Sequence, residues 1–119
     1  MKRSSLRFSA LVVLAAWFCG FSSAASAAEP ATHIVTIENM RFSPATLTVR
    51  PGDWVVFKNQ GIVPHTVTEK ATKAFDSAIL PPGEQWKLVV PARAGAIHYH
   101  CTLHPLMEGS LTVEPPPRP

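Results

Sequence analysis

The amino-acid sequence predicts an all-β domain, a sandwich or a barrel. Three observations carry that prediction. Short segments rich in β-branched and aromatic residues recur along the chain. Turn residues separate them, most plainly at Pro51-Gly52-Asp53, Asn59-Gln60-Gly61 and Pro81-Pro82-Gly83. Past residue 28, no stretch of useful length carries the spacing of an amphipathic helix.

The elements follow in order. Ile34 to Ile37 reads as a short strand. Leu47-Thr48-Val49 alternates apolar and polar residues and ends at the Pro51-Gly52-Asp53 turn. Trp54 to Phe57 is the next strand, stopped by Asn59-Gln60-Gly61. Thr66-Val67-Thr68 continues from His65. Trp86 to Val90 follows the Pro81-Pro82-Gly83 turn. Gly95 opens Ala96 to His100, and Ser110 to Val113 closes the domain. Ala71 to Leu80 admits one helical turn or a loop. Pro115 to Pro119 is an extended tail. There is no internal repeat.

Residues 1–28 have the grammar of a cleavable secretion signal. Lys2, Arg3 and Arg7 form a basic region, Leu11 to Phe18 an apolar one, and Ala25-Ser26-Ala27 or Ser26-Ala27-Ala28 a small-residue cleavage site. The apolar run falls short of the roughly 20 residues a membrane span needs. Bulky Trp17 and Phe18 before Cys19 argue against lipidation, and Lys2-Arg3 is not a twin arginine. The expected location is the periplasm, with no stable membrane insertion after cleavage. The domain is read as residues 29–114 and the tail as 115–119.

Cleavage changes the charge balance. The chain has 11 basic and 8 acidic side chains, and three of the basic ones lie in the leader. The mature chain is formally neutral, so no basic patch for nucleic acid is implied. About 90 residues remain, enough for a single core. They hold one cysteine, Cys101. An intramolecular disulfide is therefore impossible. In an oxidising compartment that thiol must be buried or metal-bound.

Cys101-Thr102-Leu103-His104-Pro105-Leu106-Met107 is the chemical centre of the sequence. It offers a thiolate, an imidazole and a thioether on one loop, and His65 adds a second imidazole from upstream. Two histidines, a cysteine and a weak axial methionine form the donor set of a blue-copper site. Soft sulfur favours Cu(I) and imidazole suits Cu(II), so a mixed set permits a one-electron couple. By strand alternation Ile97, Tyr99 and Cys101 share a face, and His98 and His100 point away. Pro64 and Pro105 stiffen the backbone beside the two ligand histidines. Each residue also has a plainer reading. A lone buried Cys or Met behaves as core filler, His65 as a loop residue, His33 as a surface residue, and Trp54 and Trp86 as packing.

Several motifs carry a family resemblance. They are Met40-Arg41-Phe42-Ser43-Pro44, Val49-Arg50-Pro51-Gly52-Asp53, Phe57-Lys58-Asn59, Pro64-His65, and Tyr99 through Gly109. The chain resembles the cupredoxins, and within the plastocyanin, pseudoazurin and amicyanin group it is most similar to the amicyanins. Two residues separate Cys101 from His104 and two separate His104 from Met107, similar to the short amicyanin ligand loop. The resemblance implies a Greek-key β-sandwich, the cupredoxin-like all-β fold. It implies one type 1 copper held by His65, Cys101 and His104, with Met107 axial. Thr66 stands where such chains commonly have Asn, and Phe57 where Trp is frequent.

The expected function is that of a small soluble electron carrier, not an enzyme. Pro64, Leu103, Pro105 and Leu106 would form an apolar rim around His104. Redox proteins would dock there transiently, through less than roughly 1,200 Å² of interface, onto a monomer. A copper chaperone or storage protein of the same fold is the alternative. Five histidines are few for an added trinuclear oxidase cluster, and methionine lies outside zinc's usual ligands. A metal-free immunoglobulin-like module would leave the ligand spacing to coincidence.

Overall fold

The computed structural model describes residues 12–21 and 29–118. The leader's basic residues and both cleavage candidates lie outside the described residues, as does Pro119. Among the described residues no helix is long and apolar enough to cross a membrane.

Among the described residues, eight strands form two four-stranded sheets. They are β1 (Thr32–Glu38), β2 (Arg41–Ser43), β3 (Thr46–Val49), β4 (Trp54–Asn59), β5 (Thr68–Glu69), β6 (Gln85–Val89), β7 (Gly95–His100) and β8 (Glu108–Val113). One sheet runs β2-β1-β4-β6 and the other β3-β8-β7-β5. The chain passes repeatedly from sheet to sheet, which lets β1 lie parallel to β4 and β3 parallel to β8. The all-β sandwich expected from the sequence is the fold found. Residues 71–80 form a loop without a helical turn.

Two strands differ from the sequence reading. The β1–β2 hairpin was not foreseen. Its turn is Asn39-Met40, with φ of 52° and 59°, and Glu38 pairs with Arg41. Two positive φ values in a two-residue loop are the turn geometry that matches strand twist, reached here without the usual glycine. The strand read at Thr66–Thr68 is instead Thr68–Glu69. His65 makes only an isolated bridge to Leu80.

Alternation packs the sandwich. Val35 and Ile37 of β1, Val55 and Phe57 of β4, Ile97 and Tyr99 of β7, and Leu111 and Val113 of β8 meet in one core. Tyr99 lies edge-on to Phe42 and Phe57, with ring centroids 4.9 and 5.3 Å away. Each such pair contributes about 0.5–1.5 kcal/mol beyond area burial. Gly109, opposite Tyr99 in the β7–β8 ladder, makes room for the ring. A Cβ at Gly109 would sit 2.4 Å from it. The Tyr99 hydroxyl has no hydrogen-bond partner among the described residues, and burial pushes its pKa well above the ordinary value. Gly109→Ala should therefore lose about 1–3 kcal/mol through overpacking. Tyr99→Phe should unfold at an equal or higher denaturant midpoint, because it removes an unpaired buried hydroxyl. Urea melts of the two variants check both; a large loss in Tyr99→Phe would overturn the second.

Asp53 anchors the β3–β4 turn to the start of β1. Its carboxylate accepts the Ala31 and Arg50 N–H groups, each at 3.0 Å, and faces His33 Nε2 at 2.9 Å. His33, read from sequence as a surface residue, is thus half-buried and partnered. The contact spans 20 residues and depends on β1 lying beside β4, which no local pattern reveals. Burial alone would raise the Asp53 carboxyl. The bonds from His33, Arg50 and Ala31, with the His33 charge, outweigh it and hold the pKa below 3.8. A depressed carboxyl stabilises the fold above the unfolded-state pKa and loses that contribution as pH falls through the lower folded value. Asp53→Asn should accordingly be less stable than wild type at neutral pH. The gap should narrow as pH falls below about 3.8. A gap constant from pH 7 to pH 2 would contradict this role.

Candidate metal centre

Strand register brings the chemical residues together. In the β5–β7 ladder Thr68 pairs with His100. The residues just before β5 therefore lie beside those just after β7, and these are His65 and Cys101. The β7–β8 connection then folds tightly on itself. The Cys101 N–H donates to Met107 O at 3.0 Å, His104 N–H to Cys101 O at 3.3 Å, and Met107 N–H to His104 O at 2.8 Å. Pro105 sits within this loop and cannot donate, and those three bonds close the loop on itself.

His65 Nδ1 lies 3.8 Å from Cys101 Sγ, and His104 Nδ1 lies 3.5 Å from it. The two imidazole rings are 5.0 Å apart. His65, Cys101 and His104 are the only group of its kind among the described residues, with donor atoms all within 4.8 Å of one another. Metal–nitrogen bonds near 2.0 Å and metal–sulfur bonds near 2.3 Å, opened by a trigonal to tetrahedral angle, put such donors roughly 3.5–3.7 Å apart. The observed spacings fit one ion held between them. Cys101 is fully buried, His65 is 1% exposed and Met107 4%. Only His104 is partly open. Met107 closes the loop and joins the core cluster.

The electrostatics suit metal binding. Burial, and then the neighbouring His104, lower the pKa of His65 below its ordinary 6.5. A ligating imidazole must be neutral, and this one is kept so. The Thr66 N–H points at Cys101 Sγ from 3.3 Å, a supporting contact behind a ligand atom.

The other sequence expectations sort cleanly. Ile97, Tyr99 and Cys101 are buried on one face, while His98 is exposed and His100 half-buried on the other. Pro64, Leu103, Pro105 and Leu106 are exposed around the loop, Leu106 completely. Two further apolar side chains were missed. Met40 and the 93% exposed Ile62 line a cleft of about 360 Å³ beside His65. Their signal was weak, since isolated surface apolar residues are ordinary.

Asn59, read as a strand stop and as the last residue of the Phe57-Lys58-Asn59 motif, builds the His65 side of the site. It is 1% exposed. Its Nδ2 donates to Val63 O at 2.9 Å and Leu80 O at 3.0 Å, and its Oδ1 accepts the Gly61 N–H at 3.0 Å. Leu80 in turn exchanges both backbone bonds with His65. Loop 60–65 is thereby fixed at both ends.

Comparison with known proteins points the same way. A family model described as a cupredoxin-like domain matches residues 10–113. Amicyanin of Paracoccus denitrificans is 35% identical over 84 residues, which span 68% of this chain and 64% of that relative. Amicyanin-alpha of Methylorubrum extorquens is 30% identical over 110 residues, 90% of each chain. A solved Cu(I) form of an amicyanin mutant superposes with a TM-score of 0.64 at 31% identity, covering 76% of this chain and 88% of the other.

Proposed function

The chain belongs to the cupredoxin family, and from that premise we propose that it carries single electrons between redox partners. The cofactor is copper. His65, Cys101 and His104 would hold it as strong ligands, and Met107 would add a weaker thioether. The observation that carries the reading is the convergence of two imidazole Nδ1 atoms on one buried sulfur. Bound there, copper supplies a one-electron couple between Cu(I) and Cu(II).

The protein's part is to hold one geometry through that couple. Backbone bonds across the Cys101–Met107 loop, and the Asn59 clamp on loop 60–65, keep the donors from following the metal's changing preference. Burial of His65, Cys101 and Met107 excludes water, leaving the His104 ring as the exposed end of the site. Electron entry and exit are assigned to that ring edge. Pro64, Leu103, Pro105 and Leu106, with Met40 and Ile62 beside them, form the apolar rim where redox proteins dock in turn. A small apolar contact separates quickly, as a shuttle requires. Copper delivery is the weaker reading, because handover needs ligands a partner can reach and three of the four are buried.

The proposal extends to processing. Residues 1–28 are removed on export to the periplasm, and 29–114 act as one monomeric domain followed by the 115–119 tail. It also places the protein among carriers and not enzymes.

Titrating the purified mature domain with Cu(II), followed by visible absorption and EPR, tests the reading. The expected result is an intense thiolate-to-copper band and narrow copper hyperfine splitting, saturating at one equivalent. A pale spectrum, or uptake without stoichiometry, would overturn it.

A further inference from the structure

A line of hydroxyl groups runs from the ligand loops to a carboxylate on the far side of β5. The Thr102 N–H donates to Thr66 Oγ1 at 2.8 Å. Thr66 Oγ1 is also 3.1 Å from Thr102 Oγ1 and 3.1 Å from Thr68 Oγ1. Thr68 Oγ1 donates to Asp76 Oδ1 at 3.2 Å. Thr66 and Thr68 are 4% and 0% exposed. Asp76 lies in the loop between β5 and β6 and is held there by its bridge to Thr68 and by the Ala78 N–H, which donates to the same oxygen at 2.9 Å.

Counting protons fixes the direction of every bond. A carboxylate only accepts, and each threonine hydroxyl has one proton to give. Thr68 gives its proton to Asp76, so Thr66 must give its own to Thr68. Thr66 Oγ1 then has only lone pairs for Thr102, and it receives both the Thr102 N–H and the Thr102 hydroxyl. Because the line ends on an anion, each bond polarises the next, making Thr66 Oγ1 a better acceptor. Thr66 follows His65 and Thr102 follows Cys101, so this oxygen ties the two ligand loops together. It also sits on the residue whose N–H faces Cys101 Sγ.

We propose that Thr68 and Asp76 are positioning residues for the metal centre: through Thr66 they set the bond to Thr102 and hold the Thr66 N–H against the Cys101 sulfur. The proposal rests on the copper reading for its effect on potential, but its effect on the loops does not. A hydrogen bond to the thiolate draws charge from the sulfur and tunes the potential. Loosening it leaves more charge for Cu(II) and lowers the potential.

Three variants test this. Thr68→Val keeps the shape but gives Thr66 no acceptor, Thr68→Ser keeps the hydroxyl, and Asp76→Ala removes the terminal carboxylate. In the metal-free protein, amide hydrogen exchange at Thr102 should quicken about tenfold in Thr68→Val and Asp76→Ala. It should return toward wild type in Thr68→Ser. Amides of β1 and β4 should be unchanged. In the copper-loaded protein the reduction potential should fall in Thr68→Val and recover in Thr68→Ser. The proposal is overturned if Thr102 exchange is unaltered in Thr68→Val and Asp76→Ala, if Thr68→Ser fails as fully as Thr68→Val, or if exchange quickens equally everywhere. A wild-type protein that shows no blue band would sink the copper reading, and exchange at Thr102 would still decide whether the hydroxyl line anchors the loops.

Discussion

Cys101→Ala is expected to abolish the blue absorption and to weaken copper binding by roughly a hundred- to a thousandfold. The magnitude comes from sharing a typical metal-site free energy of about 10–16 kcal/mol among four ligands, since each 1.4 kcal/mol is tenfold. The colour should vanish altogether, because it belongs to the thiolate–copper bond and no other cysteine of the domain can replace it. The two imidazoles would remain 5.0 Å apart and could still hold Cu(II), but as a pale, ordinary centre. The variant also leaves the buried Thr66 N–H without its sulfur acceptor. The metal-free domain should lose about 1–3 kcal/mol on that account, so it should remain folded, and loss of colour will not reflect unfolding. The check is a Cu(II) titration of a variant whose far-ultraviolet dichroism matches wild type. An intense blue band in Cys101→Ala would sink the ligand assignment.

Much of this was legible in the sequence because it is written locally. The strand built on Ala96 to His100 shows its alternation in the chain, and the burial of Ile97, Tyr99 and Cys101 against exposed His98 follows from period two alone. The Cys101–Met107 loop is likewise local, three donors within seven residues. What the sequence concealed depends on partners far along the chain. His33 looked like a surface residue because Asp53, its partner, comes near only when β1 and β4 lie parallel. The β1–β2 hairpin was hidden for a different reason. Its turn uses Asn39-Met40 at positive φ, and methionine is not a residue that advertises that geometry. Thr66 sat in view as a departure from the family pattern. That position ties the two ligand loops in the family, but the bonds Thr66 makes here could not be read, because Thr102 and the Asp76 behind Thr68 belong to separate loops.

Asn59 makes the same point with a larger expected consequence. From sequence it is a strand terminator, a role many residues could fill. In the fold its side chain satisfies three backbone groups of two loops, Val63 O, Leu80 O and the Gly61 N–H. Alanine would leave Val63 O and the Gly61 N–H without this partner and Leu80 O with only the His65 N–H, at a position 1% exposed. A buried orphan costs about 1–3 kcal/mol, and some of these groups would regain water at the loop surface. The expected loss for Asn59→Ala is about 2–4 kcal/mol, a large fraction of a small domain's 5–15. The damage should not stop at stability. Leu80 shares two backbone bonds with His65, so loosening the clamp frees the one ligand supplied from outside the Cys101–Met107 loop. Copper affinity should fall by about 10- to 100-fold, as when a supporting contact behind a ligand is lost. The blue band should persist, since Cys101 and His104 keep their own loop. Asn59→Asp separates the two halves of the clamp. It keeps an acceptor for Gly61 but turns a carboxylate toward the Val63 and Leu80 carbonyls, and so should be at least as unstable as alanine. Urea melts of the metal-free variants and competition titrations with copper measure both effects. Asn59→Ala with near wild-type stability and affinity would mean that loop 60–65 holds His65 without the clamp, through the backbone bridge to Leu80 alone.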